Sequence, residues 1–238
     1  MDREGKSVKA LGDIRVRQAL EYAVDRTAVM KAVYGKYGQA NVSTVVKGNP
    51  AFSAKTEARY DYNPAKARQL LAEAGYPNGF KLKYGVFSGA GPELPTFAQA
   101  VQDQLQQVGV KVDLVTGNDF NALGAALVQK KFPAFVFFGQ IPATDPLKDL
   151  QLAPDSGGLN AFGTEDPKLD ALRKAALTAS AAKRPAALQA LQAAIVEKAW
   201  MLNVGVSDLL FFSTKAVTGV SATNGEPVPN ILDIRPAS

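Results

Sequence analysis

Phe80-Lys-Leu-Lys-Tyr-Gly-Val-Phe87 alternates with the two-residue period of a β-strand. Leu94, Phe97, Ala98, Val101, Leu105 and Val108 follow at the spacing of one apolar helix stripe, which Gly109 closes. Val110-Lys-Val-Asp-Leu-Val115 then alternates again. Strand, helix and strand in one short run form the unit of a parallel sheet, and the unit repeats. Phe120, Leu123 and Leu127 mark a second helix, and Ala134-Phe-Val-Phe-Phe138 is a continuously apolar strand of the kind buried on both faces. The expected fold class is therefore α/β, a mixed sheet of about five strands flanked by helices.

Working outward, Asn63-Pro64 opens a helix through Leu70, Leu71 and Ala74 with Gly75 just past its end, the cap, first-turn proline and glycine stop in their expected places. Ile14 to Val33 carries apolar residues at helical spacing, with Asp13 as its cap and Gly35 as its stop, and is expected to be one helix. Between them, residues 35–59 are rich in Gly, Asn, Ser and Pro and read as a long ordered loop. Asp166-Pro167 and Arg184-Pro185 start two Ala/Leu-rich helices expected to form an antiparallel pair. The segment from Trp200 to Phe212 reads as β-rich and the tail around Gly225-Glu-Pro-Val-Pro229 as irregular.

Composition narrows the chemistry. The 238 residues include no cysteine and no histidine, which removes disulfides, thiolate zinc sites and Ser-His-Asp or Cys-His relays. The apolar runs Phe132–Phe138 and Leu209–Phe212 are far shorter than the roughly 20 residues that cross a bilayer. The N-terminus lacks the apolar core of a secretory signal, so any export signal is expected to have been removed or to lie outside this chain. The net charge of +5 comes from residues 1–68, where 13 basic residues face 7 acidic ones. These bases are scattered without a Lys/Arg block, which fits a solvated surface and not a nucleic-acid site.

Four stretches carry a resemblance. Asp13-Ile-Arg-Val-Arg-Gln-Ala-Leu20 with Tyr22-Ala-Val-Asp-Arg26 resembles the opening of the second lobe in the family-5 extracellular solute-binding proteins of peptide- and nickel-type ABC importers. Tyr62-Asn-Pro-Ala-Lys-Ala67 with Leu70-Leu-Ala-Glu-Ala-Gly-Tyr76 and Gly79-Phe80 is similar to that family's helix-and-turn motif, and Leu105-Gln-Gln-Val-Gly-Val-Lys-Val112 to its next strand approach. Asp145-Pro146, Asn160-Ala-Phe162, Pro167 and Asp170 follow its later run. The resemblance implies a periplasmic-binding-protein-like (type II) lobe. Residues 1–12 would be the severed crossover and residues 13–238 the second, C-terminal lobe, with the first lobe absent. It further implies a periplasmic or extracytoplasmic location, a lipid anchor, if any, on the missing N-terminal region, and an ABC permease as membrane partner. The ligand would be a peptide or another small polar solute held between lobes. No cofactor and no metal are expected.

By this analogy the ligand site lies on loops at the strand ends, where Gln140, Thr144 and Asn160 offer uncharged hydrogen bonds and Phe162 an apolar or stacking wall. Asp145 reads equally as a helix cap before Pro146. Dipeptide-binding members carry an acidic residue shortly before Asp-Pro, where this chain has Ile141-Pro-Ala-Thr144; a longer peptide, an oligosaccharide or another polar solute stays open. Arg15, Arg17, Asp25, Arg26 and Gly75 are expected to be structural, Asp25-Arg26 as a helix-surface pair. Catalysis finds no support: Ser88-Gly-Ala-Gly-Pro-Glu-Leu94 follows a strand but places Leu94 where a dinucleotide loop needs its third glycine. The alternative is a ligand-sensing domain of a transcription regulator with the same fold; a lone interaction module is a third reading.

Overall fold

The computed structural model describes residues 1–89, 91–136, 160, 162–208, 210–220 and 231–237. The run 80–136 builds the centre. Strands β2 (Phe80–Phe87), β3 (Val110–Gly117) and β4 (Ala134–Val136) form a parallel sheet in the order β3-β2-β4. β2 is the middle strand, in register with β3 from Phe80↔Val110 to Phe87↔Gly117 and with β4 from Tyr84↔Ala134 to Val86↔Val136. Helices α5 (Glu93–Gln107) and α6 (Phe120–Val128) make the two crossovers. Among the described residues the parallel and antiparallel pairings fall into separate ladders. β1 (Gly38–Ala40) pairs antiparallel with β5 (Gly205–Ser207), and β6 (Val217–Thr218) with β7 (Arg235–Pro236).

The core lies on one face of the sheet. Leu82, Val110 and Val112 meet Val101 and Leu105 of α5, and this layer continues into α1 (Ile14–Ala23) through Val16 and Leu20 and into α4 (Pro64–Glu73) through Leu70 and Leu71. The lead-in 1–12 is part of this core: Ala10 and Leu11 are buried, the buried Asp2 carboxylate accepts from the backbone N–H groups of Lys6, Ser7 and Val8, and the Arg3 guanidinium lies 4.1 Å over the Trp200 ring. A second core joins α7 (Pro167–Thr178) to α8 (Arg184–Glu197). Leu169 packs with Leu191 and Ile195 at one end and Ala176 with Leu188 at the other, so the two helices run antiparallel.

The expected single helix over 14–33 is two. Val24 is extended (φ −106°, ψ 115°), and the Asp25 side chain accepts from the Ala28 N–H to start α2 (Arg26–Tyr34). The Asp25 N–H itself donates to Gln104 Oε1 at 2.6 Å, so a helix break inside an apolar-periodic run is stabilised by a cap and a tertiary hydrogen bond. Residues 35–59 follow the loop reading apart from β1 and the short α3 (Ala54–Glu57). α4 has the expected cap, Asn63 accepting from the Lys66 N–H, and Gly75 follows with φ +89°. Past Trp200 only β5 is a strand among the described residues as far as Phe212. Residues 137–138 and 225–229, part of the last expected strand and tail, lie outside the described residues.

Two glycines set where β2 and β3 begin. Gly79 (φ +72°) and Gly109 (φ +91°) cross so closely that a Cβ on Gly79 would run into the Gly109 carbonyl. Gly75 also has positive φ but open space around it. Gly75→Ala is therefore expected to cost only backbone strain, about 1 kcal/mol, and Gly79→Ala clearly more, above about 2 kcal/mol. Urea-unfolding midpoints of the two variants check this; equal losses would contradict the crossing argument.

Candidate functional site

Three parallel strands bring their carboxyl ends to one edge. The chain passes from β2 to β3 on one side and then crosses back over β2 to β4, so the strand order changes direction at the central strand, the kind of position at which α/β sheets take ligands. The loop after β2 is tied down by the Ser88 N–H donating to the Gly117 carbonyl at 2.8 Å. Gly89 lies so close to the Asn118 carbonyl and the Phe87 ring that a Cβ would sit 2.6 Å and 2.7 Å from them. The Asp119 carboxylate accepts from the Asn121 and Ala122 N–H groups at 2.8 and 3.1 Å and so starts α6. This places Phe120 edge-on to Phe87, ring centres 5.5 Å apart, while Phe120 stays 62% exposed. An apolar side chain of that size left in water at the strand ends suits contact with a solute or a facing surface. Sequence periodicity assigned Phe87 and Phe120 to a strand and a helix stripe; the signal that marks them is position, each at the edge where its parallel element meets solvent.

The anticipated site residues are placed differently. Gln140, Thr144 and Asp145 lie outside the described residues. Asn160 and Phe162 are both buried; the Asn160 side-chain amide donates to the Thr164 carbonyl at 3.3 Å, and the Gly163 N–H donates to the Asn160 carbonyl, closing a turn. Phe162 lies 6.0 Å from Lys130 Nζ, and Lys130 belongs to the turn leading into β4, at the amino edge of the sheet. The structure thus does not bring Phe162 together with Phe87 and Phe120. Among the described residues no three acidic side chains converge as metal ligands. A groove of about 280 Å³ lined by Asp25, Arg26, Asn41, Tyr60 and Tyr62 lies beside the start of α2, where Asp25 meets Gln104 late in α5 and Tyr62 meets Gln107.

The basic side chains of the opening motif separate by burial. Arg15 is exposed; it pairs with Asp13 at 2.6 Å and donates to the Glu73 carbonyl at 2.8 Å, linking the start of α1 to the end of α4. Arg17 is buried and donates to the carbonyls of Leu11 (2.8 Å), Gly12 (3.2 Å), Arg3 (3.4 Å) and Lys198 (3.3 Å), and burial pulls its pKa below the ordinary guanidinium value. Arg26 does not make the expected surface pair with Asp25. It is buried, contacts the Glu21 carboxyl, and donates to the Asn203 carbonyl at 2.9 Å. The reason is the helix break: with Asp25 occupied as a cap, Arg26 points back along α1, toward Glu21.

A family model for bacterial extracellular solute-binding proteins, family 5, matches residues 4–160. This chain belongs to that family. Heme-binding protein A of Haemophilus influenzae is 36% identical over 107 residues, 44% of this chain and 19% of that protein. The glutathione-binding protein GsiB of Escherichia coli K12 is 30% identical over 222 residues, 89% of this chain and 43% of that protein. The periplasmic binding protein DppA of Helicobacter pylori, solved in complex with the peptide STSA, superposes with a TM-score of 0.79 at 19% identity over 100% of this chain and 46% of that one. The chain therefore has the α/β lobe of the type II periplasmic binding proteins and spans less than half the length of these relatives. The family-5 proteins it resembles are binding proteins, not enzymes.

The Arg26–Glu21 pair makes a pH prediction. Burial pushes the Glu21 carboxyl up to about 8, although Arg26 pulls it the other way. In the unfolded chain the same group titrates near ~4.3. Between those values the folded state holds a proton that the unfolded state has released. The stability Glu21 contributes is thus present below the unfolded value and lost as pH rises through about 8. The unfolding free energy should fall across this window by at most about 1.4 kcal/mol per pH unit, and Glu21→Gln should flatten the fall. Glu21→Ala, which strips buried Arg26 of its partner, should cost about 3–5 kcal/mol. Urea titrations at a series of pH values measure all three; a free energy that rises through the window would contradict the assignment.

Proposed function

We propose that this chain is the second lobe of a family-5 solute-binding protein, and that it closes over a peptide or similar polar solute held between itself and a first lobe for delivery to an ABC permease. The observation that carries the reading is the carboxyl edge of the β3-β2-β4 sheet, where exposed Phe120 packs on half-buried Phe87, in a chain of this family. A crevice with one wall buries only part of a ligand, whereas tight small-molecule sites enclose most of its surface. A facing lobe would supply the second wall and exclude water from the hydrogen bonds made there. The relatives' names (heme-binding, glutathione-binding) and the bound peptide of the DppA structure support a ligand combining apolar surface with peptide-like polarity, to which an exposed aromatic edge is suited. The protein would work outside the cytoplasm, where family members described as extracellular act.

Calorimetric titration of glutathione and of short peptides tests the reading. The isolated chain should bind them weakly or not at all, and a chain restored with a first lobe should bind one class at least about a hundredfold tighter, since enclosure supplies most of the affinity. Phe120→Ala in the restored protein should weaken binding by about tenfold, in line with removal of a buried aromatic contact. Equal affinity with and without the first lobe would sink the proposal.

A further inference from the structure

The groove beside the start of α2 lies at the opposite end of the sheet from the Phe87–Phe120 edge: Asp25 and Tyr62 on its lining meet Gln104 and Gln107, at the end of α5 just before β3 begins. At about 280 Å³ it is close to the lower limit of small-molecule sites, about 300 Å³. Asn41 on its wall is only 9% exposed. The Asn41 Nδ2 donates to the carbonyls of Ser43 at 3.1 Å and Val45 at 2.7 Å, which fixes the orientation of the amide. Among the described residues the Asn41 Oδ1 then accepts no hydrogen bond, yet it is not sealed from solvent, so it opens on the groove that the residue lines. A buried polar side chain with an unmet acceptor calls for a donor from outside the chain.

The rest of the lining agrees. Asp61 is exposed and, among the described residues, makes no hydrogen bond or ion pair, while Asp25 uses Oδ1 to cap α2 and keeps Oδ2 free of any donor. The Glu57 carboxylate accepts from the Val42 and Ser43 N–H groups at 2.8 and 3.1 Å and so holds this wall in place. Arg26, the one base on the described lining, is turned away to Glu21 and to the Asn203 carbonyl. The Tyr60 ring is buried, with the Arg59 guanidinium 5.9 Å from it, whereas Tyr62 is 44% exposed and leaves a ring open to the groove.

We infer that this groove binds a small organic cation through a primary ammonium group. An ammonium has three donors and no acceptor, which matches a lining of the Asn41 Oδ1 and carboxylate oxygens with no donor to spare. The carboxylates set their charge against an anion. Among the described residues no three acidic side chains are close enough to hold a metal ion, so the cation is an organic one, with its charge spread along the groove. Its alkyl stem and charge would lie against the open Tyr62 ring, a cation–π contact. All of these groups belong to this chain, so the site is independent of the two-lobe reading and of the strand-end edge.

The experiment is a titration of the isotope-labelled chain with cadaverine at low salt, followed by backbone amide NMR shifts, with pentanediol as the neutral counterpart. Saturable shifts at Thr27, Asn41, Val42 and Tyr62, with a dissociation constant near or below about 1 mM, are expected for cadaverine and none for pentanediol. Asp61→Asn and Tyr62→Ala should each weaken binding about threefold and together about tenfold, the range of an exposed ion pair and an exposed cation–π contact. Asp113→Asn, which removes an exposed carboxylate from β3, should leave the affinity unchanged. Circular dichroism confirms that the variants fold. Nα-acetyl-lysine amide carries the same ammonium on a blocked backbone: binding like that of cadaverine would extend the site to lysine side chains, no binding would restrict it to free amines, and either keeps the ammonium assignment. Equal losses in Asp61→Asn and Asp113→Asn would reduce the effect to net charge and overturn the inference. So would equal shifts with pentanediol, or no saturation by about 10 mM cadaverine.

Discussion

Two guanidinium groups buried beside the first helix hold distant parts of the chain together. Arg17 reaches the carbonyls of Leu11 and Gly12 before α1 and of Lys198 after α8, and Arg26 ties Glu21 at the end of α1 to Asn203. The Asn203 side-chain amide then donates to the carbonyls of Asn41 and Ser43, and the Tyr60 hydroxyl to that of Val196. Apart from that of Val196, which also accepts from the Ala199 N–H, each carbonyl belongs to a helix end or an irregular segment that has no ladder partner of its own. A buried backbone carbonyl without a donor is costly, and only a long, multi-donor side chain satisfies several at once. Apolar residues of the same volume would fill the space but leave these oxygens unpaired, so the ordinary advantage of replacing a buried charge by hydrocarbon does not apply here. The seam between the sheet-bearing core and the α7–α8 pair is polar for this reason.

The two edges of the sheet are held by other contacts. Its amino edge is closed by the Gly79–Gly109 crossing, which lets the strand starts approach without side chains between them, and by the lead-in, whose Asp2 N–H donates to the Pro133 carbonyl at 2.7 Å. Its carboxyl edge carries loops held by short hydrogen bonds, Ser88 to Gly117 and Asp119 to the first turn of α6, with the phenylalanine pair above them. Among the described residues, the carboxyl edge is therefore preformed backbone with apolar rings.

The sequence makes some of this legible and hides the rest for identifiable reasons. α4 is readable because its cap, its proline and its terminal glycine are all local, and β2, α5 and β3 because their periods of two and of helical repeat are unbroken. The division of α1 from α2 is not, since Asp25 sits among residues that keep helical spacing and its decisive hydrogen bond comes from Gln104, far away in the chain. β1 and β5 are three residues each and separated by most of the chain; strands so short have no period to detect. Arg17 and Arg26 read as structural residues, Arg26 in a surface pair with Asp25, but residue type gives no sign of their burial, which only the carbonyls they meet explain. Asn160 and Phe162 stand out in the sequence only by motif position. Their burial follows from the turn closed by the Gly163 N–H and from the side-chain bond to the Thr164 carbonyl, which motif spacing does not report.

A lobe built this way has a definite energetic consequence for binding. Association costs freedom in the ligand and in whatever loops must order around it, and affinity is the surplus over that cost. Here the ordering of the backbone at the ends of β2 and β3 is already done in folding, by the cap at Asp119, the Ser88 link to Gly117 and the packed glycine at 89. A ligand meeting this edge therefore contributes contact rather than structure, yet it finds contact on one side only. Under the two-lobe reading proposed above, the same preformed edge would make a complete site tight and leave a single lobe a weak binder, because preorganisation lowers a cost without supplying a second wall. Affinity in such a design is set by the partner wall and specificity by the polar groups of both walls. On that reading the aromatic pair would serve ligands of differing chemistry without being rebuilt for each.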